Sequence, residues 1–177
     1  MADTRVQLEV EDWVRRQWLP GKFGGPFYRD RVKLSSGGVF DFDAVSVDKK
    51  VVASISTSGG MTSGGKRGAG KLQKIRADML FLLLAEAERR VVVLTSEDMF
   101  SLCEKEKTAG RVPQKIEFAL AEIPPDLSGR LKVAQQAASK EVSPSFGDDA
   151  IEALRRLRDK DDPVISGKEL RDRLQID

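Results

Sequence analysis

Histidine is absent from the 177 residues, and cysteine occurs once, at Cys103. The first absence removes the commonest general base, every imidazole metal ligand and any Ser-His or Cys-His nucleophilic pair. The second excludes a disulfide within the chain and makes a zinc site unexpected. Cys103 itself lies in "SEDMFSLCEKEK", a helix-like stretch, and reads as a buried, inert thiol. Strong net charge is lacking too. The 30 Lys and Arg against 28 Asp and Glu leave +2, so a polyanion would have to be recognised by local charge alone. The longest apolar run, "MLFLLLA", is far short of the roughly 20 residues of a spanning helix. "MADTRVQLEV" offers no basic segment followed by an apolar one. A soluble, cytoplasmic protein without a membrane partner is expected.

The length suits one hydrophobic core with an appendage. Val6, Val10, Trp13, Val14 and Gln17 share a stripe at helical spacing, and "LPGKFGGP" is expected to end that helix. "FYRDRVKL" alternates as a first strand before "SSGG". A hairpin follows, and then "GKLQKIRADMLFLLLAEAERR", apolar nearly all round at its centre, is expected as a buried central helix. "RVVVLTS" reads as a continuous apolar strand, "SEDMFSLCEKEK" as a helix opening on Ser96 with Glu97 and Asp98, and "KIEFALAEI" as a fifth strand stopped by Pro124-Pro125. Beyond it, "DLSGRLKVAQQAASKEV" and "DDAIEALRRLRDKDDP" read as helices of modest hydrophobicity.

The hairpin "GGVFDFDAVSVDKKVVASISTSGG" places chemistry on a regular pattern. Alternation puts Phe40, Phe42 and Ala44 on one face, expected to be core, and Asp41, Asp43 and Val45 on the other. A two-residue turn at Asp48-Lys49 would pair Val45 with Val52, Asp43 with Ser54 and Asp41 with Ser56. Acids and serines would then cluster on one face.

Between Lys49 and Ala77 stand seven basic residues, Lys49, Lys50, Lys66, Arg67, Lys71, Lys74 and Arg76, and no acid. Five of them lie on "GGKRGAGKLQKIR", a glycine-rich loop entering a helix. There backbone N–H groups and the helix dipole favour a phosphate, and the cations would track a nucleic-acid backbone. "GKRGAGKL" fits G-x-x-x-x-G-K but ends in Leu72, which removes the hydroxyl that would hold magnesium. "SGGMTS" resembles the S-G-G-x-D-S loop of PP-loop ATP pyrophosphatases, with Thr62 in place of its Asp.

The order helix, three strands, helix, strand, helix, strand resembles the core of the PD-(D/E)XK superfamily, over about Val6 to Ile123. The resemblance implies an α/β, restriction-endonuclease-like core at 1–124: helix, three-stranded antiparallel meander, helix, strand, helix, strand. An α-helical C-terminal extension at 125–177 would follow. "FDFDAV" looks like the start of the family motif, with Asp43, or in second place Asp41, at the metal-binding Asp. Glu11 or Glu9 would match its helix acid. The sequence departs from the family where acid-x-Lys should stand: the hairpin register puts Ser54-Ile55-Ser56 there, so the second carboxylate and the lysine are missing. Serine hydroxyls supply neither charge. The resemblance therefore implies a nucleic-acid-binding protein, DNA before RNA, that is catalytically inactive or altered. Lys66, Arg67, Lys71, Lys74 and Arg76 would make the nucleic-acid contacts. The rival readings are two. One is an active Mg²⁺-dependent nuclease in which Asp41, Asp43 and a helix-one Glu hold the ion while Lys71 or Lys74 reaches in. The other is a protein-interaction module whose C-terminal helices recruit a partner; a homodimer is also left open.

Overall fold

The computed structural model describes residues 5–61 and 68–141, with side chains to residue 137. The chain divides into two units, Met1–Ser139 and Lys140–Asp177, and the sheet belongs to the first. Helix α1 (Arg5–Trp13) leads into a π turn (Val14–Trp18) and α2 (Leu19–Phe23); β1 (Phe27–Lys33), β2 (Val39–Ser46) and β3 (Val51–Ser56) follow. Then come α3 (Ala69–Leu84), β4 (Arg89–Leu94), α4 (Glu97–Thr108), β5 (Ile116–Leu120) and α5 (Pro125–Glu141). The protein is a mixed α/β structure around one five-stranded sheet in the order β1-β2-β3-β4-β5. β1, β2 and β3 pair antiparallel, and β3, β4 and β5 pair parallel through α3 and α4.

Both faces of the sheet are covered. Val6, Val10 and Val14 of the first helix, with Leu127 and Leu131 of α5, pack on Ala44, Ala53, Ile55, Val91 and Val93. Ile75, Met79 and Leu82 of α3, with Met99 and Cys103 of α4, pack on Phe42, Val45, Val52, Val92 and Leu94. Two-sided cover explains why β4 is a continuous apolar run from Val91 to Leu94 and why every residue of β3, Ser54 and Ser56 included, is buried. Cys103 is buried, and burial, with Glu104 and Glu106 nearby, pushes its thiol up to about 11. It is an inert thiol, as its setting in the sequence suggests. α5, expected to open the extension, contributes Leu127 and Leu131 to the first cluster and so is part of the first unit.

Four local expectations need correction or refinement. The first helical run ends within "LPGKFGGP", as expected, but at Gly24 and not at Pro20. Leu19 N–H donates to the Val14 carbonyl five residues back, and the π turn lets Pro20 occupy the first turn of α2, where a missing N–H costs nothing. The chain turns only at Gly24 and Gly25, with φ of 78° and 71°. The hairpin turn is also displaced. Lys49 N–H donates to the Ser46 carbonyl at 2.8 Å and Lys49 has φ 58°, so Val47 and Asp48 are the central residues. Ser46 Oγ donates to Asp48 at 2.6 Å and accepts from Val51 N–H at 3.0 Å, which closes the turn. Third, α3 lies on one face of the sheet instead of inside the core, and Leu80 is 55% exposed.

The fourth correction concerns β2 itself. Val45 pairs with Val52 as its sequence spacing implies, but Phe42 packs with Val45 while Ala44 packs on the opposite side. Against β1, Tyr28 pairs with Val45 and Asp30 with Phe42, so three steps on β2 match two on β1. This is a β-bulge, and one extra residue reverses the facing of everything before it.

Candidate functional site

β3, β4 and β5 end at Ser56, Leu94 and Leu120, and α3 and α4 both start from this carboxyl edge. β2 enters the sheet at the same edge. The β2–β3 ladder holds at Ala44↔Ala53 and Val45↔Val52 and then stops. Past that point the Asp43 side chain replaces the backbone as partner: its Oδ2 accepts Ile55 N–H at 2.8 Å. The bulge is held from the other side by Arg15, whose Nε donates to the Asp43 carbonyl at 2.5 Å from the π turn. A π turn and a bulge thus meet at one residue, the kind of local irregularity that re-aims side chains next to sites.

Other charges converge on Asp43. Burial pushes the Glu11 carboxyl up, and the Asp43 carboxylate adds to this, against the pull of Arg15, Arg29 and Lys74. Asp78 on α3 is likewise pushed up by burial; Lys74, an ion-pair partner at 3.2 Å, opposes the shift and Asp43 reinforces it. Residues from α1, β2 and α3 therefore share one electrostatic neighbourhood where the sheet opens. Asp41 does not join it as expected. It forms an ion pair with Arg29 at 3.2 Å in solvent, and the bulge puts it on the α1 side. By alternation with Val52, Ser54 and Ser56 face the α3 side, and both are buried. The expected cluster of two acids with two serines is thus split: Asp41↔Ser56 and Asp43↔Ser54 are not paired.

The basic residues divide similarly. Lys66 and Arg67 lie outside the described residues. The remaining five all have partners: Lys49 with Asp30 at 3.6 Å, Lys50 with Glu88 at 3.0 Å, Lys71 with the Met61 carbonyl at 3.0 Å, Lys74 with Asp78, and Arg76 with Glu106 at 2.8 Å. Most of these are exposed pairs, which are worth little and exchange readily for a phosphate. Arg76 differs, because Glu106 is buried and also holds Arg111 at 2.9 Å. That arrangement joins α3 to α4 and reads as structural.

Magnesium does not fit the residues as they stand. Asp43 gives one oxygen to Ile55, Asp41 turns to Arg29, and the serines bring no charge. Among the described residues no three Asp, Glu or Cys side chains gather as metal ligands do. A cavity of about 480 Å³ lies along the same edge, between the start of α4 and α5, lined in part by Thr95, Ser96, Asp98, Ile123, Lys132 and Gln135.

Sequence reasoning missed Asp78, Arg15 and Asp98. Asp78 had a signal: a lone acid in an apolar helix, four residues after Lys74. Arg15 had none, since only the bulge gives it a carbonyl to hold. Compared with protein-family models, curated proteins and solved structures, the chain matches none. Among the described residues no helix is long and apolar enough to cross a membrane.

Proposed function

We propose that this protein binds the backbone of a nucleic acid, DNA before RNA, at the carboxyl edge of its sheet, and that it does so as a catalytically inactive or altered relative of the restriction-endonuclease-like proteins. One observation carries the reading: β2 leaves β3 at Asp43, and Lys74 of α3 shares the electrostatic neighbourhood of that opening, with Lys71 one turn earlier on the same helix. The order helix, three strands, helix, strand, helix, strand along the chain supports the reading. Buried Ser54 and Ser56, with no group of three converging carboxylate or thiol ligands among the described residues, favour binding over cutting, so no step is assigned to a metal ion. Glu11, Asp43 and Asp78 would repel a phosphate pressed into the opening itself. Contact is therefore placed on the α3 rim, where Lys71 can trade the exposed Met61 carbonyl for a phosphate oxygen and the exposed ammonium of Lys74 can add a second contact beside Asp78.

Fluorescence anisotropy with labelled duplex DNA, single-stranded DNA and single-stranded RNA, over a series of salt concentrations, tests the proposal. Replacing Lys66, Arg67, Lys71 and Lys74 by Ala should weaken binding. It should also flatten the salt dependence by about 0.9 in slope for each duplex phosphate that is no longer neutralised. Binding that is undetectable at low salt, or unchanged in the fourfold variant, refutes it. Cleavage of the same duplex in Mg²⁺ or Mn²⁺, abolished by Asp43→Ala, would return the nuclease reading.

A further inference from the structure

The connection from β3 to α3 is pinned at its base. Gly68 N–H donates to the Gly60 carbonyl at 2.9 Å, which brings the two ends of the connection together. Lys71 Nζ reaches back to the Met61 carbonyl at 3.0 Å, and Leu72 N–H donates to the Gly68 carbonyl at 3.0 Å as α3 begins. α3 has no side-chain cap of its own at Gly68. Its starting point is therefore fixed through this neck rather than by a local residue.

The neck is held from α4. Asp98 Oδ2 accepts both Gly60 N–H at 2.9 Å and Met61 N–H at 3.2 Å. Its other oxygen accepts Ser96 Oγ–H and Met99 N–H, which aims the carboxylate. The approach is close: a Cβ on Gly60 would lie 2.9 Å from the Asp98 carbonyl carbon and from Met99 N, whereas one on Gly59 would come no nearer than 3.7 Å to Asp98. An exposed acid at the second position of α4 would ordinarily be explained by the helix dipole alone. Two amides from a segment 37 and 38 residues away require more than that.

We propose that Asp98 is a positioning residue: by clamping the Gly60–Met61 amides to the start of α4, it sets where Lys71 and Lys74 on α3 face a nucleic-acid backbone. This rests on the nucleic-acid reading above. Asp98 touches no phosphate itself; it acts through the neck.

The test combines amide hydrogen exchange with salt-dependent binding of a labelled duplex. Asp98→Ala should speed exchange at Gly60 and Met61 roughly tenfold, as expected when a charge-assisted hydrogen bond is removed. Exchange at Val92 in β4 should remain far slower than at the neck and should speed up by no more than the neck does. Duplex affinity should fall with a flatter salt slope, and the urea midpoint should fall by no more than the same tenfold in the folding constant. Asp98→Asn, which keeps a carbonyl oxygen for Gly60 N–H, should recover much of both effects. Gly60→Ala should reproduce the Asp98→Ala behaviour while Gly59→Ala does not. Unchanged exchange at Gly60 and Met61 in Asp98→Ala, or an unchanged salt slope in a protein that does bind, overturns the proposal. If the wild-type chain binds no nucleic acid at low salt, the functional reading falls. Faster exchange in Asp98→Ala would then still support Asp98 as the clamp of the neck.

Discussion

β4 and β1 belong to one sheet, yet they meet different surroundings. β4 buries Val91 to Leu94 completely between two helical layers, while β1 leaves Tyr28 to Arg31 exposed and lies at the edge. β2 stands between the two regimes. Its later half, from Ala44 to Ser46, is buried like the parallel strands, and its earlier half carries the bulge, Asp43 and the solvated Asp41. Stability is concentrated in the parallel half and chemistry in the antiparallel one. The candidate site falls at the seam, where a strand can leave its neighbour without emptying the core.

The largest expected effect comes from cutting into the parallel half. Leu94→Ala, at a position with no exposure, should cost about 2–5 kcal/mol in urea unfolding, through the transfer energy of the deleted atoms and the cavity left behind. Val32→Ala in β1 removes less apolar volume from a shallower site and should cost only about 1–2 kcal/mol. Equal costs would break the contrast between the two halves.

A smaller effect should come from the seam. Asp43→Ala leaves Ile55 N–H, a buried donor, without its acceptor, and the expected loss is about 1–3 kcal/mol. Asp41→Ala, which removes only an exposed pair with Arg29, should lie within about 0.5 kcal/mol of wild type by the same measurement. Two acids two residues apart in "FDFDAV" would then differ several-fold in cost. Similar values would mean that the bulge does not separate their roles.

The order of elements was legible because burial on both faces leaves a continuous apolar run in β4 and clear stripes in the helices. The register Val45↔Val52 was legible for the same reason. The bulge was not. "FDFDAV" alternates without a break, and the extra residue is selected by Arg15 and by Ile55 N–H, partners 28 and 12 residues away. Pro20 likewise looked like a terminator because the π turn that accommodates it has no signature in "VRRQW". Of the site, Asp43, Glu11 and Lys74 could be found from the resemblance and from the acid-free basic run. Asp78 and Asp98 act only through partners that the fold supplies.

The smallest effect is a difference of sign with pH between the two halves. Glu11 at the seam is pushed above its ordinary value of 4.5, by burial first and then by Asp43. In strong acid it is protonated in both states and contributes nothing. As pH rises through 4.5 the unfolded chain loses the proton first, so the folded state is progressively disfavoured until its own, higher value is passed. Glu11→Gln should therefore be neutral in acid and mildly stabilising at pH 7. Glu117 in β5 is the opposite case. Its hydrogen bond from Arg89 holds it below 4.5, against burial, and the Arg89 charge helps. That pairing stabilises above the unfolded value and is lost as pH falls through the folded one. Glu117→Gln should thus destabilise at pH 7 and approach wild type in acid. Urea midpoints of both variants between acid and neutral pH check the pair of signs. Parallel curves would mean that Glu11 is as well partnered as Glu117, and the seam would lose its claim to hold carboxylates under strain.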